Sequence, residues 1–359
     1  MLDTLKKACD SGTQIIVFGA GEIGSKVIKI LEKNNIRISF VCDNDVAKQN
    51  EVIYGYDVLG VDKIQDMSAI VVVASIYVKE MVSQLNELGI DSIVIYKEIF
   101  LKKNEQYEKL IFPCFTNPQV SIVLTAFNEW KYTYECLKSI LCTKTAIEYE
   151  VVVGDNASTD ETKDIEQYVE NVTTIHYKEN IGYLRNCNET TRMAKGKYIV
   201  LLSNDVKIIS DYWMDRWMEM FERESSIGVV GGSTYDWELT DLKYGGRVTC
   251  SDEKINLISN DRLNGICDVG YVSPACICFR ADVWREIGGY DERYIPAWWE
   301  DLDLYCSMRK LGYKVILDAE TSYVHYGEIT AIKDNTIIQK NMKKLMDKWS
   351  NDWQFVITK

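Results

Sequence analysis

Short runs of β-branched and aliphatic residues alternate along this chain with stretches whose apolar residues recur every three or four positions. Gln14–Phe18, Arg37–Cys42, Ile70–Ala74 and Ser92–Tyr96 have strand length and composition, and between the first two lies a helical pattern with apolar Ile23, Val27, Ile28 and Leu31. Such alternation predicts βαβ units and a parallel sheet. A second series starts at Val120–Thr125 and continues through a helix at Trp130–Leu141 and strands at Tyr149–Val153, Thr173–Tyr177 and Tyr198–Leu202. It ends with a helix at Leu302–Leu311 and a strand Lys314–Leu317 leading to Tyr323–His325. Between the two series, residues 98–119 alternate in charge and hold two of the four prolines, Pro113 and Pro118, so the chain should divide there. The predicted organisation is an α/β domain over 1–105, a linker over 106–118, a larger α/β domain over 119–330 and a helical extension over 331–359.

Composition narrows the function. Of 359 residues, 47% are hydrophobic, and 41 Lys and Arg stand against 54 Asp and Glu for a net charge of −13. Nucleic acid is thereby an unsuitable partner, because its binding needs clustered cations. Any phosphate group bound here must be held locally, by backbone amides or a metal ion. The first residues, Met1–Lys7, lack an apolar signal core, and apolar runs such as Ile70–Ala74 are far below the ~18–20 residues of a membrane span. A cytoplasmic location is expected. The eleven Cys form no CxxC pair and read as reduced core thiols, and with only two His, His176 and His325, a structural zinc site has no ligand set.

The first strand runs into Gly19-Ala-Gly21-Glu-Ile-Gly24 and a helix, with Asp43 following 19 residues after Gly24 at the end of the next strand. In that setting the glycines permit a tight turn and close approach to a phosphate at the helix N-terminus. Two readings stay open: a pocket for a nucleotide, a nucleotide-sugar or NAD, and a Rossmann-like scaffold. The scaffold reading draws on the room for only five strands and the absence of a catalytic His, Cys or Tyr-x-x-x-Lys after the motif. Residues 1–100 resemble the small Rossmann-like domains that precede sugar-modifying enzymes.

In the second series the strands end in polar loops. Ligands of open α/β sheets sit at the carboxyl ends of the strands, which directs Thr125, Phe127, Asn128, Glu129, Asp155, Asn156, Ser158 and Asp160 to one crevice. Ser158, with Glu161 three residues on, also fits a helix-capping signature.

Five motifs then occur in order: Val-Ser-Ile-Val-Leu-Thr-Ala-Phe-Asn-Glu from Val120, Val-Gly-Asp-Asn-Ala-Ser-Thr-Asp ending at Asp160, Asn180-x-Gly182 followed by Asn186, Ala194-x-Gly-Lys-Tyr-Ile-x-x-Leu, and Glu300-Asp301. In order and spacing they resemble family 2 glycosyltransferases of the GT-A fold over residues 119–330. The resemblance implies an inverting, metal-assisted transfer of a sugar from a nucleotide diphosphate to a glycan, lipid-linked or protein acceptor. It adds Asn180, Gly182, Arg185, Asn186, Ser203, Asn204 and Asp205 to the donor site. Where the family usually has Asp-x-Asp, this chain has Ser203-Asn204-Asp205, so Asp205 is the implied metal ligand and Ser203 faces the ribose. His325 matches the family's second ligand. A carboxylate and imidazole pair favours Mn²⁺ over Mg²⁺. Asp301 is the implied base, kept ionised at a helix N-terminus, and Glu300 bonds the acceptor. Asp303 is read equally as a third carboxylate of the site and as an N-terminal-turn acid interacting with the helix dipole or Arg309, and His176 as structural. The segment Tyr271–Cys276 resembles the family's small-residue run beneath the donor sugar, and Arg185 and Lys195 are cations available to the diphosphate.

Trp298 and Trp299, adjacent in a loop led by Pro296, cannot both point inward easily, so one is expected to stack on a sugar. The tail carries six Lys against three Asp and an apolar stripe of Ile337, Ile338, Met342, Leu345, Met346 and Trp349. Docking on the transferase is expected, with a peripheral contact at the inner membrane face as the alternative. The competing function is a catalytically inactive sugar-nucleotide-binding or scaffold protein, suggested by the altered Ser-Asn-Asp motif.

Overall fold

The computed structural model describes residues 1–99, 107–237, 242–243, 245–251, 254–259, 263–327 and 334–358. The chain forms two compact units, Met1–Gln106 and Tyr107–Lys359.

In the first unit, helix α1 (Leu2–Asp10) precedes strands β1 (Gln14–Phe18), β2 (Phe40–Cys42), β3 (Val52–Ile53), β4 (Tyr56–Leu59), β5 (Ala69–Val73) and β6 (Ile93–Ile95), with α2 (Glu22–Lys33) after β1 and α3 (Val78–Glu87) after β5. The sheet order is β3-β4-β2-β1-β5-β6, parallel except for the short edge strand β3. Both faces are covered, as parallel sheets require. Ile16, Phe18, Val71 and Val73 pack with Met81 and Leu85 of α3, while Ile15 and Val17 on the opposite face are fully buried, as are Val27 and Leu31 of α2. The sheet has six strands where room for five was expected, because the chain between β2 and β5 forms a small hairpin, β3 and β4, at the sheet edge beside β2.

The second unit begins earlier than the prolines suggest. Strand β7 (Leu110–Ile111) pairs with β10 (Val169–Glu170), and Phe112 lies in the core, so most of the expected linker belongs to this unit. Gln106 lies outside the described residues. The main sheet is built from β8 (Val120–Ala126), β9 (Tyr149–Asp155), β11 (Thr173–His176), β12 (Tyr198–Ser203), β13 (Val206–Ile208) and β14 (Ile227–Tyr235), joined by β15 (Leu242–Lys243), β18 (Ile266–Asp268), β19 (Cys276–Arg280) and β20 (Lys314–His325). A hairpin of β16 (Gly246–Ser251) and β17 (Lys254–Ser259) stands apart. The order β11-β9-β8-β12-β19-β14-β20-β13 places four parallel strands side by side at one end, as the βαβ pattern required. The helices are α4 (Trp130–Cys142), α5 (Tyr183–Thr191), α6 (Trp213–Arg223), α7 (Ala281–Ile287), α8 (Glu300–Lys310) and α9 (Asn335–Lys348). One core layer lies beneath α4 and α6, with Trp130, Leu137, Trp213 and Trp217. The other lies beneath α7, α8 and α9, with Trp284, Leu302, Tyr305 and Leu345.

The tail docks on this second layer. Leu345 and Trp349 are buried, and Met342 and Met346 pack against the same cluster, so this part of the apolar stripe is covered by the unit's own core. Residues 331–333 and Lys359 of the expected extension lie outside the described residues. Among the described residues, no helix is long and apolar enough to cross a membrane. All eleven cysteines are free thiols.

Candidate active site

Register brings the site together. Ser203 lies beside Thr125 on β12 and β8, and Ala126 lies beside Asp155 on β8 and β9, so three adjacent parallel strands deliver Thr125, Asp155 and Ser203 to one edge. Cys276 pairs with Leu202, and the Ser203 amide donates to the Ala275 carbonyl, which sets the small-residue segment Tyr271–Cys276 beside the end of β12.

After β12 the chain turns at Asn204-Asp205 into β13, which pairs with β20 so that Val206 opposes His325. That antiparallel register places His325 Nε2 3.2 Å from Asp205 Oδ1, and the Tyr326 amide donates to the Asp205 carbonyl. Asp205 is buried; the His325 side chain keeps 28% exposure. An oxygen and a ring nitrogen with lone pairs, held this close at the sheet edge, fit a divalent cation that takes its other ligands from a diphosphate and water. Among the described residues no third His, Cys, Asp or Glu joins them.

The remaining donor-side residues divide by what their side chains already bond. Asn156 donates to Asn180 Oδ1 and accepts from the Ile181 amide, and Asn180 Oδ1 also accepts from the Gly182 amide, so these three shape one loop over the crevice. Asn128, with a left-handed backbone like its neighbour Glu129, accepts from the Thr159 amide at 2.7 Å. Ser158 accepts from the Asn128 amide at 2.7 Å, so its hydroxyl joins two loops, and the short helical turn that follows is capped by Asp160 through the Thr162 amide. Phe127 is half-buried beside them, and Glu129 pairs with Lys131.

Four residues expected on the donor side bond to protein partners. Asn186 is buried and bonds the Gly154 carbonyl and Thr190. The Asn204 amide donates to Thr133 of α4. Arg185 pairs with Glu292 at 2.8 Å, and Lys195 with Glu150, both cations lying at the surface.

His176 is more than structural filler. Its Nδ1 lies 2.9 Å from Asp155 Oδ2 and its Nε2 2.9 Å from Glu166 Oε1, while Asp155 Oδ1 accepts from the Ser158 amide. Burial alone would lower the imidazole pKa, but the two carboxylates outweigh it and raise it.

The acid pair opens α8. Trp298 and Trp299, both at positive φ, turn the chain into the helix, and Glu300 and Asp301 occupy its first turn. Left-handed backbone at two consecutive bulky residues costs energy, and α9 holds it in place. Asn341 donates to the carbonyls of Tyr294 and Ala297, and the Trp299 indole donates to the Ile338 carbonyl at 3.0 Å. Trp299 thus packs on α9, leaving Trp298 as the sugar-stacking candidate.

Glu300 is 4% exposed, and its Oε2 has no hydrogen-bond partner among the described residues. Burial and then the charge of Asp301 push its pKa well above the carboxylate range. Asp301 accepts a 2.6 Å bond from the Tyr290 hydroxyl on Oδ1; burial pushes its pKa up to about 6, with the Tyr290 bond opposing. Asp303, by contrast, is buried and saturated by Tyr294, Trp349 and Lys348 at 3.2, 2.8 and 2.7 Å, a joint between α8 and α9 and not a partner of Arg309. Burial raises the thiol pKa of Cys187 on α5, which bonds to Tyr183 and to Thr125 at the strand edge and feels the charge of both acids. Tyr290 and Asn188, whose side chain bonds the amide and the carbonyl of Tyr290, were not picked out in the sequence; their signal is only that Gly288-Gly289-Tyr290 precedes the acids by about ten residues.

In the first unit, Asp43 Oδ2 accepts from the Ala20 amide of the glycine loop at 2.7 Å and from Lys48, and Oδ1 accepts from the Asp45 amide. Burial would raise its pKa, but these bonds lower it. A Cβ on Gly19 would meet the Ala74 carbonyl at 2.4 Å, and one on Gly24 would meet the Gly19 carbonyl at 1.8 Å, so these two glycines are required by the loop's own packing.

Residues 121–288 match the family model described as Glycosyl transferase family 2, and residues 11–96 match one described as C2185-like, N-terminal. The chain is 26% identical over 257 residues to chondroitin synthase of Escherichia coli, covering 69% of this chain and 34% of that protein. It is 22% identical over 239 residues to O-antigen biosynthesis protein RfbC of Myxococcus xanthus, covering 60% of this chain and 18% of that one. It therefore spans about a third or less of these relatives. Among solved structures, GalNAc-T7 with UDP, GalNAc and Mn²⁺ superimposes with a TM-score of 0.53 at 12% identity, over 67% of this chain and 49% of that one; the likeness is one of fold, GT-A.

Proposed function

We propose, from the premise that residues 121–288 are a glycosyl transferase family 2 domain, that this chain transfers a sugar from a nucleotide-diphosphate donor to a hydroxyl of a glycan by single displacement with inversion. The observation that carries the reading is that Thr125, Asp155 and Ser203 end on one edge of three adjacent parallel strands, beside the Asp205–His325 pair at 3.2 Å. The relatives are named for building chondroitin and O-antigen, which supports a polysaccharide acceptor.

The nucleotide half of the donor lies along the ends of β8 and β9, where Thr125 faces it, Asp155 braces the edge through His176 and the Ser158 amide, and Ser203 follows on β12. Asp205 and His325 would hold the divalent cation, Mn²⁺ by its ligand types, which when bound offsets charge on the departing diphosphate. Trp298 offers a face to the acceptor sugar and Glu300, as the neutral acid, a hydrogen bond to it. Asp301 Oδ2, which accepts no bond among the described residues, takes the proton of the acceptor hydroxyl. The hydroxyl oxygen's electron pair forms the bond to the anomeric carbon as the bond from that carbon to the phosphate oxygen breaks. That electron pair leaves on the nucleoside diphosphate, and the proton remains on Asp301. Water is limited by the burial of the acids.

For residues 1–106 the scaffold reading is the better supported, because Asp43, the acid expected at a ribose, is already engaged by Ala20, Asp45 and Lys48.

The test is nucleotide release from UDP-, GDP- and dTDP-sugars, with and without Mn²⁺ and with a panel of oligosaccharide acceptors. Acceptor-dependent release from one donor is expected. Tight donor binding with no release under any condition would replace this reading with that of a sugar-nucleotide-binding protein, the outcome that Ser203 in place of a carboxylate would favour.

A further inference from the structure

We propose that Tyr290 is the positioning residue of the acid pair: its phenol holds the Asp301 carboxylate by one oxygen, so that the other oxygen alone faces the acceptor. The proposal rests on Asp301 being the base. Its ground is geometric. The Tyr290 hydroxyl donates to Asp301 Oδ1 at 2.6 Å, a short, charge-assisted bond, and Oδ2 accepts none among the described residues.

Tyr290 is itself fixed from three sides. The Asn188 side chain donates to the Tyr290 carbonyl at 2.9 Å and accepts from its amide at 2.8 Å, clamping the backbone. The ring meets Trp284 edge-on with centroids 5.3 Å apart, and Tyr183 at 6.2 Å. The side chain is 2% exposed. A phenol so anchored has no freedom to follow the carboxylate; the carboxylate must come to it.

The surroundings make this bond matter. The titratable groups that feel Asp301 are Glu300 beside it, Tyr183 and Cys187 from α5, Tyr290, and Tyr305 one turn along α8. Every one of them is an acid, so the anion at Asp301 is stabilised by donation and not by a neighbouring cation. Removal of the phenol hydroxyl therefore weakens the anion specifically, and it frees the carboxylate to rotate. A merely structural tyrosine would do neither.

The experiment compares three versions of the full chain, measuring kcat against pH at saturating donor and acceptor, and donor affinity by calorimetry. In Tyr290→Phe the ring packing stays and the donor is lost. The acid limb of the profile should move up by about one pH unit, a tenfold loss of kcat below the limb, with donor affinity unchanged. Replacement of Tyr290 by 3-fluorotyrosine, a stronger donor of the same shape, should move the limb down, and it keeps the test open if the phenylalanine variant does not fold. Asp301→Asn separates the two claims. If it is inactive while neither Tyr290 variant moves the limb, Tyr290 has no positioning role. If it turns over at the parent rate, the base assignment fails, and the Tyr290 proposal with it.

Discussion

His325 Nε2 and Asp205 Oδ1 stand 3.2 Å apart, although 120 residues separate them in sequence, because the antiparallel pairing of β13 with β20 sets Val206 opposite His325. Neither side chain belongs to the apolar core clusters, so Asp205→Ala and His325→Ala should each abolish Mn²⁺ stimulation, with a loss in kcat of roughly 10²-fold or more and little change in melting temperature. Transfer measured across a Mn²⁺ titration checks this; an unchanged Mn²⁺ response in either variant removes the cation from this pair.

Asp301 and Asp303 lie two residues apart on α8 and should fail differently. Asp301→Asn removes the base and is expected to lower kcat by roughly 10²–10⁴-fold with donor affinity intact. Asp303→Asn breaks the ion pair with Lys348 at 2.7 Å and should instead cost stability, roughly 1.5–3 kcal/mol, seen as a lower urea midpoint with kcat within a few-fold of the parent. The opposite pattern would exchange their roles.

The acid limb of turnover should lie high. Asp301 accepts a proton only as the carboxylate, and burial pushes its pKa up to about 6. Activity should therefore fall as pH drops through about 6, and not near the ~4 of an exposed carboxyl. A kcat profile flat down to pH 5 would contradict this.

Glu300 should destabilise the fold at neutral pH. Unfolded, it loses its proton in the ordinary range; folded, burial and Asp301 hold the proton to higher pH. Between those values the native state binds more protons than the unfolded one, so stability declines as pH rises. Glu300→Gln removes that titration. It should raise the urea midpoint over the parent at pH 8 and leave it nearly equal at pH 4, each unit of upward displacement being worth about 1.4 kcal/mol.

In the first unit, Gly24→Ala drives a methyl into the Gly19 carbonyl and should destabilise that unit by roughly 1–3 kcal/mol. Donor affinity should not change, since the donor-edge residues all lie beyond Val120. Calorimetry on the full-length variant decides it; a weakened donor would make the glycine loop part of the active site.

Much of this was legible in the chain itself. Alternating apolar runs located the parallel strands, and the polar residues just past Thr125, Val153 and Leu202 pointed to one crevice edge. The direction of individual amides was not. Asn186 and Asn204 sit in motif positions, yet a strand-end or helix Asn bonds equally well to a ligand or to nearby backbone and hydroxyls, and only packing decides; here it sends Asn186 to Gly154 and Asn204 to Thr133. The strand to His325 is continuous from Lys314, and within it Asp318 is buried against Arg216 at a shift in register with β14. Tyr290 escaped notice because its partner, Asp301, is reached through a loop whose path no periodicity encodes.

The latch of Asn341 on the carbonyls of Tyr294 and Ala297 gives the chain an order of completion. The acid pair and its tryptophan loop are translated before the helix that fixes them, and the second of these bonds spans 44 residues. Until Asn341 has left the ribosome, the left-handed turn at Trp298 and Trp299 lacks its support. The N-terminal end of α8 is thus among the last parts of the second unit to set, and a nascent chain stalled before α9 carries all its donor-edge residues while the turn into its acid pair still lacks its latch.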